Sequence, residues 1–140
     1  MSRTGPLSGL LLACWAGGVW TICGVVVPGI FWLLADRQQA GNVAAWFFYV
    51  VTWGGILLGC LYWMLQRDQL DRLNRHCVLL AMGAPLFFFV VLRPWMNAAR
   101  SAGDMTRFGQ LHGVASVFFM ATCVALGVLV WRLEPTRRAE

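Results

Sequence analysis

Four long apolar runs joined by short polar links constrain this chain more than any other feature. They cover residues 8–35, 42–65, 77–97 and 108–131. A helix needs roughly 20 apolar residues to cross a hydrocarbon core ~30 Å thick, and each run supplies that length. Inside lipid every backbone N–H and C=O must be satisfied within the protein, so only helices and closed barrels span a bilayer. Barrel strands alternate apolar and polar residues over segments of about ten, whereas these runs are continuously apolar. The expected fold is all-α: a polytopic membrane protein built as an antiparallel bundle of four transmembrane helices. Of the 140 residues 59% are hydrophobic and 12% charged, so residues 1–140 read as a single membrane domain with no room for a soluble one.

The net charge of +5 is no nucleic-acid signal. All eleven basic residues are arginine and cluster at the ends of spans. Arg3, Arg67, Arg72, Arg75, Arg132, Arg137 and Arg138 fall on one side, and Arg37, Arg93, Arg100 and Arg107 on or towards the other. Positive charge is retained on the cytoplasmic side, so both termini are expected in the cytoplasm of a bacterium, with the bundle in its inner membrane. The partners expected are membrane lipids, with a homo-oligomer or a larger membrane complex as further options. Cys14, Cys23, Cys60, Cys77 and Cys123 form no Cys-x-x-Cys pair and read as small buried hydrophobes. Leu11-Leu12-Ala13-Cys14 imitates a lipoprotein cleavage site, but the apolar stretch continues for a full span beyond it, so cleavage is not expected.

Helix packing is expected at small residues, which let transmembrane helices approach closely. Gly17 and Gly18 lie in span one, and Gly55-x-x-x-Gly59 in span two. Span four carries Gly109, Gly113, Ser116, Met120, Cys123 and Gly127 at alternating steps of four and three, a narrow stripe at ~100° per residue. Pro28 should kink span one and Pro94 distort span three. Trp32, Trp46 and Trp95 should mark one interface and Trp15, Trp63 and Trp131 the other, with Trp20 and Trp53 packed between helices. Residues 66–75 read as a solvated loop. The two halves show no residue-level repeat.

Polar groups are costly in lipid and a membrane chain that keeps them usually uses them. Arg93, Asn97 and Arg100 share one face of span three. His112 should lie about 12 Å below Asp104, and Arg93 about 10 Å below Arg100, at 1.5 Å per residue, so the two side chains are placed to meet at one level. Three readings follow. Arg93 snorkels while His112 bonds a carbonyl or Ser116; or Arg93, Asn97, Arg100, His112 and Ser116 line a ligand pocket; or His112 ligates haem or a soft metal with Met96, Met105 or Met120. The third is weakest, because His76 belongs to the opposite interface and a lone histidine with scattered methionines is no established metal spacing. No span carries a carboxylate and no nucleophile has an obvious base, so enzymatic chemistry is not indicated.

Trp15-Ala16-Gly17-Gly18 with Pro28 and Phe31, Ala40-Gly41, Arg93-Pro94-Trp95-Met96-Asn97 with Arg100, and Phe108-Gly109-Gln110-Leu111-His112-Gly113 with Ser116 together resemble the transmembrane protein 205-like family. Its bacterial members are described by domain of unknown function 4149. The resemblance implies a four-helix membrane protein of undefined biochemistry. A weaker likeness to small copper-resistance and haem-dependent four-helix proteins lacks the histidine those place early in span one. The expectation is a non-enzymatic inner-membrane protein with a polar outer-leaflet pocket for a small ligand or lipid headgroup. The alternative is an accessory subunit of a membrane complex, and third a haem- or copper-handling protein using His112.

Overall fold

The computed structural model describes residues 5–137 and side chains as far as residue 133. Four helices follow one another: α1 (Gly5–Leu33), α2 (Arg37–Gln66), α3 (Arg72–Ser101) and α4 (Met105–Arg137). The described residues contain no strand. The candidate spans are 29 or 30 residues long, about 44 Å at 1.5 Å per residue, against a hydrocarbon core of ~30 Å. Their ends therefore reach into the headgroup layers or the helices tilt. The chain is an all-α, multi-pass membrane protein.

Each helix after the first begins on an aspartate whose carboxylate accepts from orphan backbone N–H groups of the first turn. Asp36 accepts from Gln38 at 2.8 Å and Gln39 at 3.3 Å, Asp71 from Asn74 at 2.8 Å, and Asp104 from Arg107 at 2.9 Å. These caps carry the helices beyond the apolar runs. Expected at 77, α3 already starts at Arg72, so the polar link shrinks to Arg67–Asp71. The α3–α4 turn closes with Gly103 at φ 73°, a left-handed conformation that favours glycine. There the Asp104 N–H donates to the Ala99 carbonyl at 2.9 Å, a 6→1 bond of the kind that ends helices.

Sequence neighbours pack side by side and α4 closes the ring against α1. Full burial is concentrated in the half of the bundle that carries the termini. Leu12, Trp15, Ala16 and Val19 of α1 meet Tyr62, Val78, Ala81, Leu126 and Leu129 there. Polar ties reinforce that end: Gln66 Nε2 donates to Ser8 Oγ at 2.6 Å, and Arg132 pairs with Asp71 at 2.6 Å. At the other end, where the two short turns lie, the fully buried residues are mostly small, as at Ala40, Ala44, Ala99 and Ala115.

The central wedge is Trp15. Its indole lies in a notch made by Gly55 and Gly59. A methyl group on Gly55 would sit 2.8 Å from Trp15 Nε1, and one on Gly59 would sit 2.8 Å from both the Trp15 ring and Met82. The small-x-x-x-small spacing of α2 thus admits a ring rather than a neighbouring backbone. Trp15 is 2% exposed, so it belongs to the core and not to an interfacial belt, while Trp53, expected inside, is 46% exposed.

Helices α1 and α3 share an irregularity the sequence reading missed. Each contains a π-helical turn, Ile22–Val26 and Phe88–Leu92, where Val27 N–H donates to Ile22 O and Arg93 N–H to Phe88 O. Pro28 and Pro94 follow directly. Proline has no N–H and clashes with the preceding turn, and widening that turn by one residue is a way to absorb both. The expected distortions therefore take the form of π turns. Past the first of them, Val27–Leu33 packs mainly on α2 rather than α4, and none of its residues is buried.

That divergence overturns the expected seam on α4. Gly109, Gly113, Ser116 and Met120 are exposed, and nothing lies within 4 Å of a methyl placed on either glycine. The face of α4 that packs is Ala115, Phe119, Thr122, Leu126 and Leu129. Only Cys123 and Gly127, lower on the seam, lie half-buried beside α1. Gly17 and Gly18 likewise meet nothing within 4 Å, because α1 packs through Leu12, Trp15, Ala16 and Val19.

Replacing Gly59 or Gly55 with alanine is expected to lower stability in detergent by about 1–3 kcal/mol, the usual cost of overpacking. Gly54→Ala, where nothing lies within 4 Å, should change it little. Unfolding in a denaturing-detergent titration measures both; equal effects at the two sites would contradict the notch.

Candidate functional site

The polar residues of α3 and α4 gather at the short-turn end, but as two clusters rather than one pocket. Arg93 follows the π turn of α3, which aims it at α2. It is half-buried, with its guanidinium 4.5 Å from the Phe89 ring centre. Together with Asn42, Ala45, Trp46 and Tyr49 it lines an open groove of about 410 Å³ between α2 and α3. Tyr49 in turn meets Phe89 edge-on, ring centres 5.3 Å apart.

Arg100, two turns nearer the end, reaches across the mouth of the bundle. Its Nη2 lies 3.6 Å from where a side-chain carbon on Gly41 would stand, and its guanidinium sits 5.2 Å from the Phe108 ring centre. Phe108 and His112 are near-parallel, 6.1 Å apart at 13°. An arginine, a phenyl ring and an imidazole thus form a short stack. His112 continues the line of the buried α4 stripe, yet it is exposed, because the bundle has opened at that level.

Arg93 and His112 therefore do not meet. Arg93 lies against Phe89 and the α2 groove, and His112 against Phe108 of its own helix. Ser116 Oγ donates to the His112 carbonyl at 3.0 Å and so serves its own helix rather than the imidazole. Asn97 is exposed. His76 lies at the termini end, with Nδ1 2.6 Å from the Arg72 carbonyl. A second groove of about 310 Å³, lined by Trp95, Asp104 and Arg107 among others, runs between α3 and α4.

Asn42, Trp46 and Tyr49 were missed as site residues. Their signal was available: they repeat on α2 the i, i+4, i+7 spacing of Arg93, Asn97 and Arg100, and so present one face.

The electrostatics of the two ends differ. Among the described residues both ion pairs, Arg67–Asp68 and Arg132–Asp71, lie at the termini end. At the short-turn end Asp36 and Asp104 accept from backbone N–H groups. Arg37, Arg93, Arg100 and Arg107 have no carboxylate within ion-pair distance among the described residues. A half-buried guanidinium beside a phenyl ring, an amide and two amphipathic rings is chemistry suited to an anion.

The fold thus defines a four-helix, multi-pass membrane protein with a cationic groove near one end. The family model described as Domain of unknown function (DUF4149) matches residues 10–105, more than half of the chain, and the chain belongs to that family. The match ends before the Phe108–Gly113 block of α4. No curated protein and no solved structure matches the chain.

Arg93→Met retains the stem and removes the charge. Because a cation–π contact contributes about 0.5–2 kcal/mol between exposed and desolvated sites, the variant is expected to unfold within about 2 kcal/mol of the parent in the same titration. A much larger loss would mark Arg93 as a structural strut.

Proposed function

We propose that this protein binds anionic lipid headgroups, through phosphate, in the outer leaflet of a bacterial inner membrane. The observation that carries this reading is Arg93: a cation about 12 Å from the helix end at 1.5 Å per residue, in an open aromatic groove, without a carboxylate partner among the described residues. At that depth Arg93 stands just inside the hydrocarbon edge, from which its long side chain reaches up to a phospholipid phosphate with an acyl chain beside it. In the groove Arg93 supplies charge-assisted hydrogen bonds, Asn42 a directional one, and Trp46 and Tyr49 an amphipathic wall suited to the headgroup boundary. Arg100, over the Phe108 ring, forms a second, shallower contact at the mouth, with His112 on the inner side of that ring and Asn97 between Arg93 and Arg100 on the α3 face. Both termini face the cytoplasm in this reading, supported by seven arginines on their side against four on the other.

The second reading, an accessory subunit of a larger membrane complex, is favoured by one observation. The face Gly109, Gly113, Ser116 is uncovered, and small residues are where transmembrane helices approach each other.

Native mass spectrometry of detergent-solubilised protein with phosphatidylglycerol and phosphatidylcholine tests the lipid reading. Retention of phosphatidylglycerol should exceed that of phosphatidylcholine, and Arg93→Gln should reduce the preference at least fivefold. Equal retention of both lipids by the parent protein sinks it, and a stoichiometric copurifying protein would transfer support to the subunit reading. For orientation, a C-terminal green fluorescent protein fusion should fluoresce and an alkaline phosphatase fusion there should be inactive; the reverse result would invert the bundle.

A further inference from the structure

The second groove, between α3 and α4, is lined by Trp95, Ala98, Ala99 and Ala102 of α3 and by Asp104 and Arg107 at the start of α4. The four α3 residues are spaced i, i+3, i+4, i+7 and so share one face. Trp95 stands two residues after Arg93, about 200° around the helix, so the two grooves open on different sides of α3. Their charges differ too. The Arg93 groove holds no carboxylate, whereas this one holds a carboxylate and a guanidinium that do not pair with each other. Asp104 Oδ1 accepts the Arg107 backbone N–H at 2.9 Å, and Oδ2 accepts nothing from the described residues. The Arg107 guanidinium and the Trp95 indole N–H are likewise unpartnered among the described residues.

We propose that this groove binds phosphatidylethanolamine, a lipid whose zwitterionic headgroup ends in a primary ammonium. The order of the groups carries the assignment. From the end of the bundle inwards the groove presents the Asp104 carboxylate, then Arg107 about 4.5 Å along α4, then Trp95 about 9 Å inside the end of α3, at 1.5 Å per residue. From the water inwards the lipid presents an ammonium, a phosphate, and ester carbonyls beside its first acyl carbons. Asp104 Oδ2 accepts from the ammonium and Arg107 donates to the phosphate, both charge-assisted hydrogen bonds. The Trp95 indole donates to an ester carbonyl, and its ring lies against the glycerol at the interface tryptophan favours. The alanine floor leaves room for the acyl chain against α3. Charge selects the class of headgroup. A carboxylate in the groove repels a headgroup of net negative charge, and its spare lone pairs call for an N–H that the quaternary ammonium of phosphatidylcholine lacks. The site is separate from the Arg93 groove and does not rest on the reading given for it.

The test is competition native mass spectrometry of the full-length protein in detergent, with phosphatidylethanolamine and phosphatidylcholine of identical acyl chains at equal concentration. The unaltered protein should retain at least fivefold more phosphatidylethanolamine. Asparagine caps helices as well as aspartate does, so Asp104→Asn removes the charge, keeps the start of α4, and should bring the ratio to about one. Arg93→Gln should leave the ratio unchanged. Equal retention by the unaltered protein, a ratio that survives Asp104→Asn, or one that Arg93→Gln abolishes overturns the proposal. A further measurement needs no variant. N,N-dimethylated phosphatidylethanolamine keeps an N–H and should be retained nearly as well as phosphatidylethanolamine itself; a fall to the phosphatidylcholine level overturns the hydrogen bond to Asp104. Excess soluble glycerophosphoethanolamine should leave the lipid in place, and displacement by it assigns the groove to a free headgroup and overturns the lipid.

Discussion

The indole of Trp15 in its glycine notch is the contact on which the bundle depends. It touches α2 at Gly55 and Gly59, and Met82 of α3 closes over the same glycine, so one side chain sets the spacing of three helices. In lipid there is no water to drive apolar surfaces together, and association rests on close packing and a few hydrogen bonds. A large flat ring in a glycine-lined notch gains many such contacts at once. The neighbouring Gln66–Ser8 and Arg132–Asp71 bonds then fasten the end that carries the termini.

With that end fastened, the other is free to differ. The π turns before Pro28 and Pro94 sit at similar distances from the ends of α1 and α3, the two helices that run in the same direction. Each changes the face its helix presents beyond that point. In α1 the change draws the last turns towards α2 and uncovers α4; in α3 it turns Arg93 into the groove beside Trp46 and Tyr49. π turns recur at functional sites, and here one adjoins the cationic groove.

The helices were legible because continuous apolar runs admit few alternatives. What escaped was rotation. A stripe of small residues on α4 read as an interface, but small residues show only that a neighbour is permitted; Val27–Leu33 had already leaned on α2. Trp15 and Trp53 exchanged their expected places for a similar reason, since hydropathy gives tryptophan a depth without telling which side of the helix meets a notch. The site was half visible. Arg93, Asn97 and Arg100 stood out as charge and amide among apolar neighbours, whereas Trp46 was read as part of the aromatic belt and Asn42 and Tyr49 were not singled out. Arg93 and His112 were expected to meet and do not, because residue count gives a position along a helix and not the direction a side chain takes.

The position of the notch also bears on how the protein is made. Trp15, Gly55 and Gly59 all belong to the first hairpin, so the wedge can seat once α2 has entered the membrane, before α3 has been synthesised. Met82 arrives with α3 onto a surface already shaped, and Arg132, close to the end of the chain, comes last to meet Asp71. The order of synthesis is thus also an order of assembly. Each later helix completes a contact whose other partner is already in the bilayer, and the Trp15 indole waits only for α2.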